Sequence, residues 1–472
     1  MKSLILYNSD GRELRKFVPL KEGEAGFYCC GPTVYNYAHI GNLRPYTHWD
    51  VLRRVLKRFG YKVKHVMNVT DVGHLTDDGD DGEDKMIKGA RERGMSVWEI
   101  AEFFTQAFFD DMKRLNILVP DVVCRATEHI DVMIDLVKRL EERGFTYEGG
   151  GNIYFDTKKL ADYGRMALLE RQELRHGART QVDAQKRNPT DFVLWFTNSK
   201  FANQAMIWDS PWGRGYPGWH LECSAMSSKY LGECFDIHAG GMDHIPVHHT
   251  NEIAQSEGAF GHKWVHYWVH NEFLIMKGGK MAKSKGSFIT LNDLLEEGYE
   301  ALDYRYFLLG GHYRSQLIFS SESLNAARSA RRSLMGRMAD LLREAFPCSK
   351  DDLGLAVRAR LEAFDTALGE DMNTPRALAE VWSLVKDDSI EPGEKLAALF
   401  SMDEVLALGL ASAGRESRQV AADGELSLLL EQRGKARASK DWAAADRIRD
   451  ELLSRGWKVV DTSDGSRLEK SE

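Results

Sequence analysis

The 472-residue sequence predicts an α/β protein. The expected architecture is a Rossmann-like, doubly wound parallel sheet carrying a connective insertion, followed by a helical bundle and a small C-terminal α/β domain. Two observations predict it. Apolar runs of strand length alternate with amphipathic helical stretches over residues 1 to about 120, and again from near Cys223 past Ile275, which is the order of βαβ units. From about Ser321 to Leu410 the period is mostly helical, with one Pro-Gly break at Pro392-Gly393. A chain this long exceeds one hydrophobic core, so several domains are expected.

The elements follow in order. Gly26-Phe27-Tyr28-Cys29-Cys30 reads as a strand, the stretch from about Tyr46 to Phe59 as a helix, and Lys62 to Asn68 as the next strand, which opens a doubly wound sheet. Residues from about 120 to 215 read as the insertion. They hold helical stretches, the Glu148-Gly149-Gly150-Gly151-Asn152 turn and a short Ile153-Tyr154-Phe155 strand. Ala411-Ser412-Ala413-Gly414 reads as a small-residue linker. Beyond it, a tail of mixed charge carries a helix around Trp442 to Ser454 and Val459-Val460 in a short strand. The expected domains are 1–310, 311–414 and 415–472.

Composition excludes several classes. No run of about 18 apolar residues exists, so no membrane span is expected. Met1-Lys2-Ser3-Leu4-Ile5-Leu6-Tyr7-Asn8 turns polar too early for a secretory signal. Six cysteines are too few for a disulfide scaffold in so long a chain and point to a reducing, cytoplasmic compartment. The net charge of −8 argues against a general polyanion binder, yet leaves room for an RNA met through local basic patches.

The first chemical motif is Cys30-Gly31-Pro32-Thr33-Val34-Tyr35-Asn36-Tyr37-Ala38-His39-Ile40-Gly41-Asn42, where a strand gives way to a helix. That is the usual place for nucleotide phosphates in such sheets. His39 can donate to charge developing on phosphate, and Gly41 lets a flat base approach the backbone. By itself the segment is better read as an ordinary turn with an incidental histidine. Much later comes Lys280-Met281-Ala282-Lys283-Ser284-Lys285-Gly286, after Met276-Lys277-Gly278-Gly279. Lysines spaced by three on a glycine-flanked loop can reach the phosphates of a transferring group, although a lysine cluster is more often a solvated surface loop. The pair of motifs is far more specific than either half.

A third constellation concerns a metal. Cys30 ends a strand, and Cys223 lies in Gly218-Trp219-His220-Leu221-Glu222-Cys223-Ser224-Ala225-Met226. His248 and Glu252 stand four apart, on one face if their segment is helical. Two thiolates, an imidazole and a carboxylate suit a tetrahedral zinc site. Taken singly, each cysteine reads as a small buried hydrophobe and the His–Glu pair as a surface pair; only the combination favours zinc.

These segments resemble the cysteinyl-tRNA synthetases, a family of class I aminoacyl-tRNA synthetases. So do Asp191-Phe192-Val193-Leu194-Trp195, Trp208-Asp209-Ser210-Pro211-Trp212-Gly213, Phe235-Asp236-Ile237-His238, Gly311-His312-Tyr313-Arg314-Ser315 and Asp441-Trp442-Ala443-Ala444-Ala445-Asp446. The resemblance covers nearly the whole chain in the family's order. It implies a ligase that activates L-cysteine with ATP, assisted by Mg2+, and transfers it to tRNA(Cys), with one Zn2+ per chain binding the substrate thiolate. Position by position, it implies Cys30, Cys223, His248 and Glu252 as zinc ligands, and not Cys29. His39, Gly41, Asn42 and Lys283 match ATP-binding positions, with His39, Asn42, Lys280 and Lys283 catalytic. Thr70, Trp219, His238 and Asp243 fall where the family lines its amino-acid pocket.

The same resemblance makes residues 1–310 the catalytic domain, 311–414 a tRNA-binding bundle and 415–472 an anticodon-recognition domain. Arg437, Trp442, Asp446 and Asp461 would be its tRNA contacts, although Trp442 is equally placeable in a core. The helix from about Leu324 to Arg343 adds Arg328, Arg331, Arg332 and Arg337, a face that serves equally as solvated basic surface. The chain departs from the family pattern at Ala282, Thr250, Pro246-Val247 and the long acidic stretch Val72 to Lys85.

The implied chemistry is coherent. Cysteine and serine differ by one atom, which a hydrophobic pocket reads poorly, whereas zinc favours a thiolate over a neutral hydroxyl. Attack of the carboxylate on the α-phosphate of ATP relies on positioning and on charge stabilisation by His39 and Lys283. Two other readings stand beside this one. A cysteine ligase of mycothiol synthesis joins cysteine to an amino sugar without tRNA and lacks such a tail; a non-catalytic RNA-binding paralogue would have lost zinc ligands or Lys283.

Overall fold

The structure is a computed structural model that describes residues 2–73, 91, 93–169, 185–198, 206–277, 279–280, 288–413, 424–462 and 465–470. It opens with a hairpin, β1 (Ile5–Asn8) and β2 (Glu13–Lys16), ahead of β3 (Glu24–Cys29), α1 (Ile40–Arg58) and β4 (Lys62–Val69). Next come α2 (Val97–Arg114), β5 (Val122–Arg125) and α3 (Ile130–Glu142). The strands β6 (Thr146–Gly149), β7 (Asn152–Phe155), β8 (Phe192–Phe196) and β9 (Tyr216–Pro217) pair in that order as a separate antiparallel sheet. The chain then returns through α4 (Trp219–Leu231), β10 (Phe235–Gly241), α5 (His248–Phe260) and β11 (Val265–Asn271).

The central sheet has the order β11-β10-β3-β4-β5, and every pairing in it is parallel. Phe27, Tyr28 and Cys29 of β3 are all buried, as both faces of a parallel strand require. Strand order reverses at β3, which has β10 on one side and β4 on the other. Doubly wound sheets open their ligand crevice at such a point, beyond the carboxyl ends of the strands. Cys30, the end of β10 and the start of α1 all fall there.

One boundary differs from the sequence reading. Val122 and Val123 continue the central sheet by pairing with Val66 and Met67, so β5 belongs to that sheet although it falls in the region read as insertion. The antiparallel sheet begins later, at Thr146. Its first hairpin turns through Gly150 and Gly151, at φ 56° and 91°, where glycine avoids a Cβ clash.

After β11 come β12 (Leu274–Met276) and β13 (Gly279–Lys280), then α6 (Leu291–Glu296), α7 (Ala301–Leu309) and β14 (Leu317–Phe319). The helices α8 (Ser321–Glu344), α9 (Leu355–Gly369), α10 (Thr374–Val385) and α11 (Pro392–Leu406) follow. Pro392 stands in the first turn of α11, where its missing N–H costs no hydrogen bond, so the Pro-Gly break is a helix start. The tail holds α12 (Gly424–Ala438), α13 (Trp442–Ser454) and the hairpin β15 (Trp457–Thr462) with β16 (Gly465–Lys470), around Leu426, Leu452, Trp457 and Leu468.

The chain divides into two compact units, Met1–Ala327 with Asp365–Leu378, and Arg328–Phe364 with Ala379–Glu472. Along α8, Arg332 and Arg337 are exposed, but Arg331 is buried and is no part of a solvated basic face. No helix among the described residues is long and apolar enough to cross a membrane.

Candidate active site

Cys30 leaves β3 directly at the crevice. The next residue must be glycine, because a Cβ on Gly31 would sit 1.6 Å from the Asn68 carbonyl oxygen. This close approach lets the Gly31 N–H donate to Asn68 Oδ1 at 2.7 Å. Cys223 lies in the second turn of α4. His248 and Glu252 lie one turn apart at the start of α5, which makes the spacing of four a shared face.

The structure brings these four residues together. All are buried, and their donor atoms lie within 4.8 Å of one another. The Cys30 and Cys223 sulfurs are 3.9 Å apart, and His248 Nε2 is 2.8 Å from Glu252 Oε1. Bonds of about 2.3 Å to zinc in a tetrahedron would place two sulfurs about 3.8 Å apart, so the donor set and its spacing fit that ion. Cys29 points the other way, its sulfur 3.2 Å from His65 Nε2. His249 Nε2 lies 3.3 Å from the Cys30 sulfur, and Cys30, His238, His249 and Glu252 form an overlapping donor group.

Electrostatics hold the Glu252–His248 pair of the cluster in its charged state. Burial alone would raise the Glu252 carboxyl, but His238 and His248 beside it bring it down to about 2. Burial disfavours a charged His248, yet Glu252 and Cys223 beside it raise the ring to about 10. Burial also pushes the Cys30 thiol well up, followed by its contacts with Cys223 and Glu252. These donor side chains are oriented from outside as well. His238 Nε2 lies 2.7 Å from Glu252 Oε2, and the Nδ1 atoms of His220 and His248 are 2.9 Å apart. Such partners orient metal-binding side chains.

The expected amino-acid pocket residues surround this cluster. The Trp219 ring lies 4.4 Å from that of His248, and the His238 ring stacks on Trp268 at 4.5 Å. Thr70 accepts from Asn68 Nδ2 at 3.1 Å and donates to the buried Glu222 carboxylate at 2.8 Å. Asp243 is exposed at the mouth of a cleft of about 200 Å³. Cys30, His39, Gly41 and Asn42 line that cleft too, so the donor cluster meets the first motif there through Cys30.

His39 caps α1. Its Nδ1 accepts the Asn42 N–H at 3.1 Å while Asn42 Oδ1 accepts the His39 N–H at 3.2 Å. With Nδ1 accepting, the proton of the neutral ring sits on Nε2. The residues on either side of the lysine motif are described near the same place. Lys280 ends β13, and the chain is described again at Phe288, whose ring lies 5.5 Å from His39. The Ile40 N–H donates to the Ile289 carbonyl at 2.8 Å. Lys283 and Ala282 lie outside the described residues, as does the side chain of Lys280 and most of the acidic stretch. Thr250, where the pattern departs, donates to the Ile245 carbonyl at 2.7 Å and caps a local turn.

The tail residues are arranged differently. Arg437 pairs with Asp461 at 2.7 Å, and Arg433 holds the same carboxylate at 2.9 and 3.1 Å. Those arginines keep Asp461 below the usual carboxylate range. Asp446 pairs with Arg449 at 2.9 Å, and Trp442 is 59% exposed, so it is a surface residue and no part of a core.

Sequence reasoning missed His249, Asn68, Glu222 and the cleft walls Tyr46 and Trp49. The His-His doublet and an Asn near the end of a central strand were the only available signals.

Comparison with known proteins gives a consistent result. The family described as "tRNA synthetases class I (C) catalytic domain" matches residues 16–329. The cysteine–tRNA ligase of Treponema denticola is 52% identical over 476 residues, covering 96% of this chain and 97% of that protein. Cysteine–tRNA ligase 1 of Burkholderia lata is 48% identical, covering 98% and 96%. Among solved structures, a methionyl-tRNA synthetase of Mycobacterium tuberculosis bound by methionyl-adenylate superposes with TM-score 0.55 at 15% identity, covering 89% of this chain and 96% of that one. A leucyl-tRNA synthetase of Agrobacterium radiobacter in a ternary complex with tRNA gives 0.58 at 12%, covering 86% of each. These two show the shared fold.

Proposed function

The chain belongs to the cysteine–tRNA ligase family of class I tRNA synthetases, and from that premise we propose that it activates L-cysteine with ATP and transfers it to tRNA(Cys). The observation that carries this reading is the buried Cys30, Cys223, His248 and Glu252 cluster, one member of which, Cys30, lines a cleft with His39, Gly41 and Asn42. Zinc, when bound there, supplies a soft acid that favours a thiolate over a hydroxyl.

The chain's own residues do the rest. Trp219 and Thr70 close the space around the cysteine side chain, and Asp243 at the mouth suits its ammonium group. His39, with its proton on Nε2, donates to charge growing on the α-phosphate, and its cap on Asn42 holds the ring in register with the helix. Gly41 leaves room for the adenine, and Lys280 and Lys283 neutralise the departing pyrophosphate, with Mg2+ on the phosphates. In the second unit, Arg437, Trp442, Asp446 and Asp461 form the anticodon contacts, and the helical segment 311–414 carries the body of the tRNA.

The test is paired. Cysteine-dependent exchange of pyrophosphate into ATP, together with charging of tRNA(Cys) by labelled cysteine, is the expected result. Exchange without charging, but with transfer of cysteine to an amino sugar, would replace tRNA as the acceptor.

A further inference from the structure

Arg44 lies in α1, five residues beyond His39, and its side chain is 0% exposed. Its guanidinium donates to four backbone carbonyls from two separate segments. Nη1 reaches Glu272 at 2.8 Å and Phe273 at 2.6 Å, while Nη2 reaches His312 at 3.1 Å and Ser315 at 2.6 Å. Burial lowers it, but only to about 10, so the charge persists at neutral pH.

The segments it gathers matter. Glu272 and Phe273 line the same cleft as His39 and Asn42, and they lead straight into β12 and β13, the strands that end at Lys280. Residues 312–315 lead into β14, which pairs with β12 in parallel. Arg44 therefore ties the helix bearing the first motif to the two segments that lead into the paired strands β12 and β14. Among the described residues, none of its hydrogen bonds reaches Cys30, Cys223, His248 or Glu252.

We propose that Arg44 is a positioning residue for the nucleotide half of the reaction, setting the place of the β12–β13 strands relative to His39 without touching ATP. This rests on the function proposed above. A planar fork can hold two segments at once, whereas a lysine ammonium is a point donor that cannot span them. Misplacement of reacting groups by about 1 Å costs on the order of 100-fold, so loosening this clamp should be felt in ATP-dependent steps.

The test compares Arg44→Lys with Arg305→Lys in the full chain. Arg305 is equally buried but donates to the Leu115 carbonyl and Asp50, away from the cleft. Both variants should lose thermal stability. Only Arg44→Lys should raise KM for ATP and slow pyrophosphate exchange, by about 10- to 100-fold, with KM for cysteine and zinc content near wild type. Arg44→Gln, which keeps donors but loses the fork, should fall on the same side. Unchanged ATP kinetics in Arg44→Lys, or the same loss in Arg305→Lys, would overturn the proposal. So would failure of both Arg44 variants to fold while Arg305→Lys folds, since the role would then be stability alone. A wild-type protein without cysteine-dependent exchange would instead sink the underlying function.

Discussion

The centre at the end of β3 and the patch on the tail carry similar residue types under opposite conditions. At the centre, Cys30, Cys223, His248 and Glu252 are buried, and Cys30 comes from a segment 193 positions from Cys223. On the tail, Arg437, Asp461 and Asp446 stand at the surface, paired with near neighbours, and Trp442 projects outward. Burying carboxylate, imidazole and thiols in one core is strongly unfavourable unless something binds them, so such a cluster speaks for function. Exposed ion pairs cost and contribute little, so the tail's geometry says far less about its task.

That contrast predicts a graded response. Replacing one buried donor should do most. Cys223→Ser should strip most zinc from the purified protein and depress cysteine-dependent exchange by more than the roughly 100-fold typical of losing a partner of a ligand. Full metal occupancy measured by elemental analysis, with normal exchange, would break the comparison at its strong end. Next, Lys283→Ala should lower kcat for adenylate formation by about 100- to 1000-fold with KM for cysteine little changed. Loss of cysteine affinity at an unchanged turnover would reassign the lysine.

On the tail, Trp442→Ala should leave pyrophosphate exchange untouched. If the ring stacks on a base, the change should weaken tRNA(Cys) charging by about 5- to 150-fold in kcat/KM. Equal charging by both proteins would return the exposed ring to ordinary surface. The smallest effect concerns stability near the cleft. Burial and the charge of Arg44 lower His48 from 6.5 to about 3. Between those values the unfolded chain binds a proton that the folded chain does not. Stability from this residue is therefore complete above pH 6.5 and falls with acidification, by at most about 1.4 kcal/mol per pH unit. His48→Gln should flatten that slope in urea unfolding between pH 6.5 and 4; an unchanged slope would place the titration elsewhere.

Much of the fold was readable because its signals are local. The βαβ start around Gly26 to Asn68, the glycine hairpin at Gly149 to Asn152 and the helix from Trp442 each follow from short-range pattern. The partition of the strands was harder. Val122-Val123 reads as a strand anywhere, and only pairing with Val66 and Met67 places it in the central sheet. At the centre, the ligand set was nameable through family resemblance, since a cysteine and a His–Glu pair are ambiguous singly.

The sequence by itself determined the fold class and the family, and through that resemblance it named the two motifs and the four donor residues. The tertiary structure shows how Cys30, rather than Cys29, comes to face the cluster. Strand pleat sends neighbours to opposite sides, and the sheet's place in the fold determines which side is the site. It also decided that Arg331 is buried and that Arg44 holds four carbonyls, because arginines on an amphipathic helix read alike until their neighbours are known. Burial and long-range hydrogen bonds depend on which distant segments the chain packs together, and one-dimensional spacing carries no record of that.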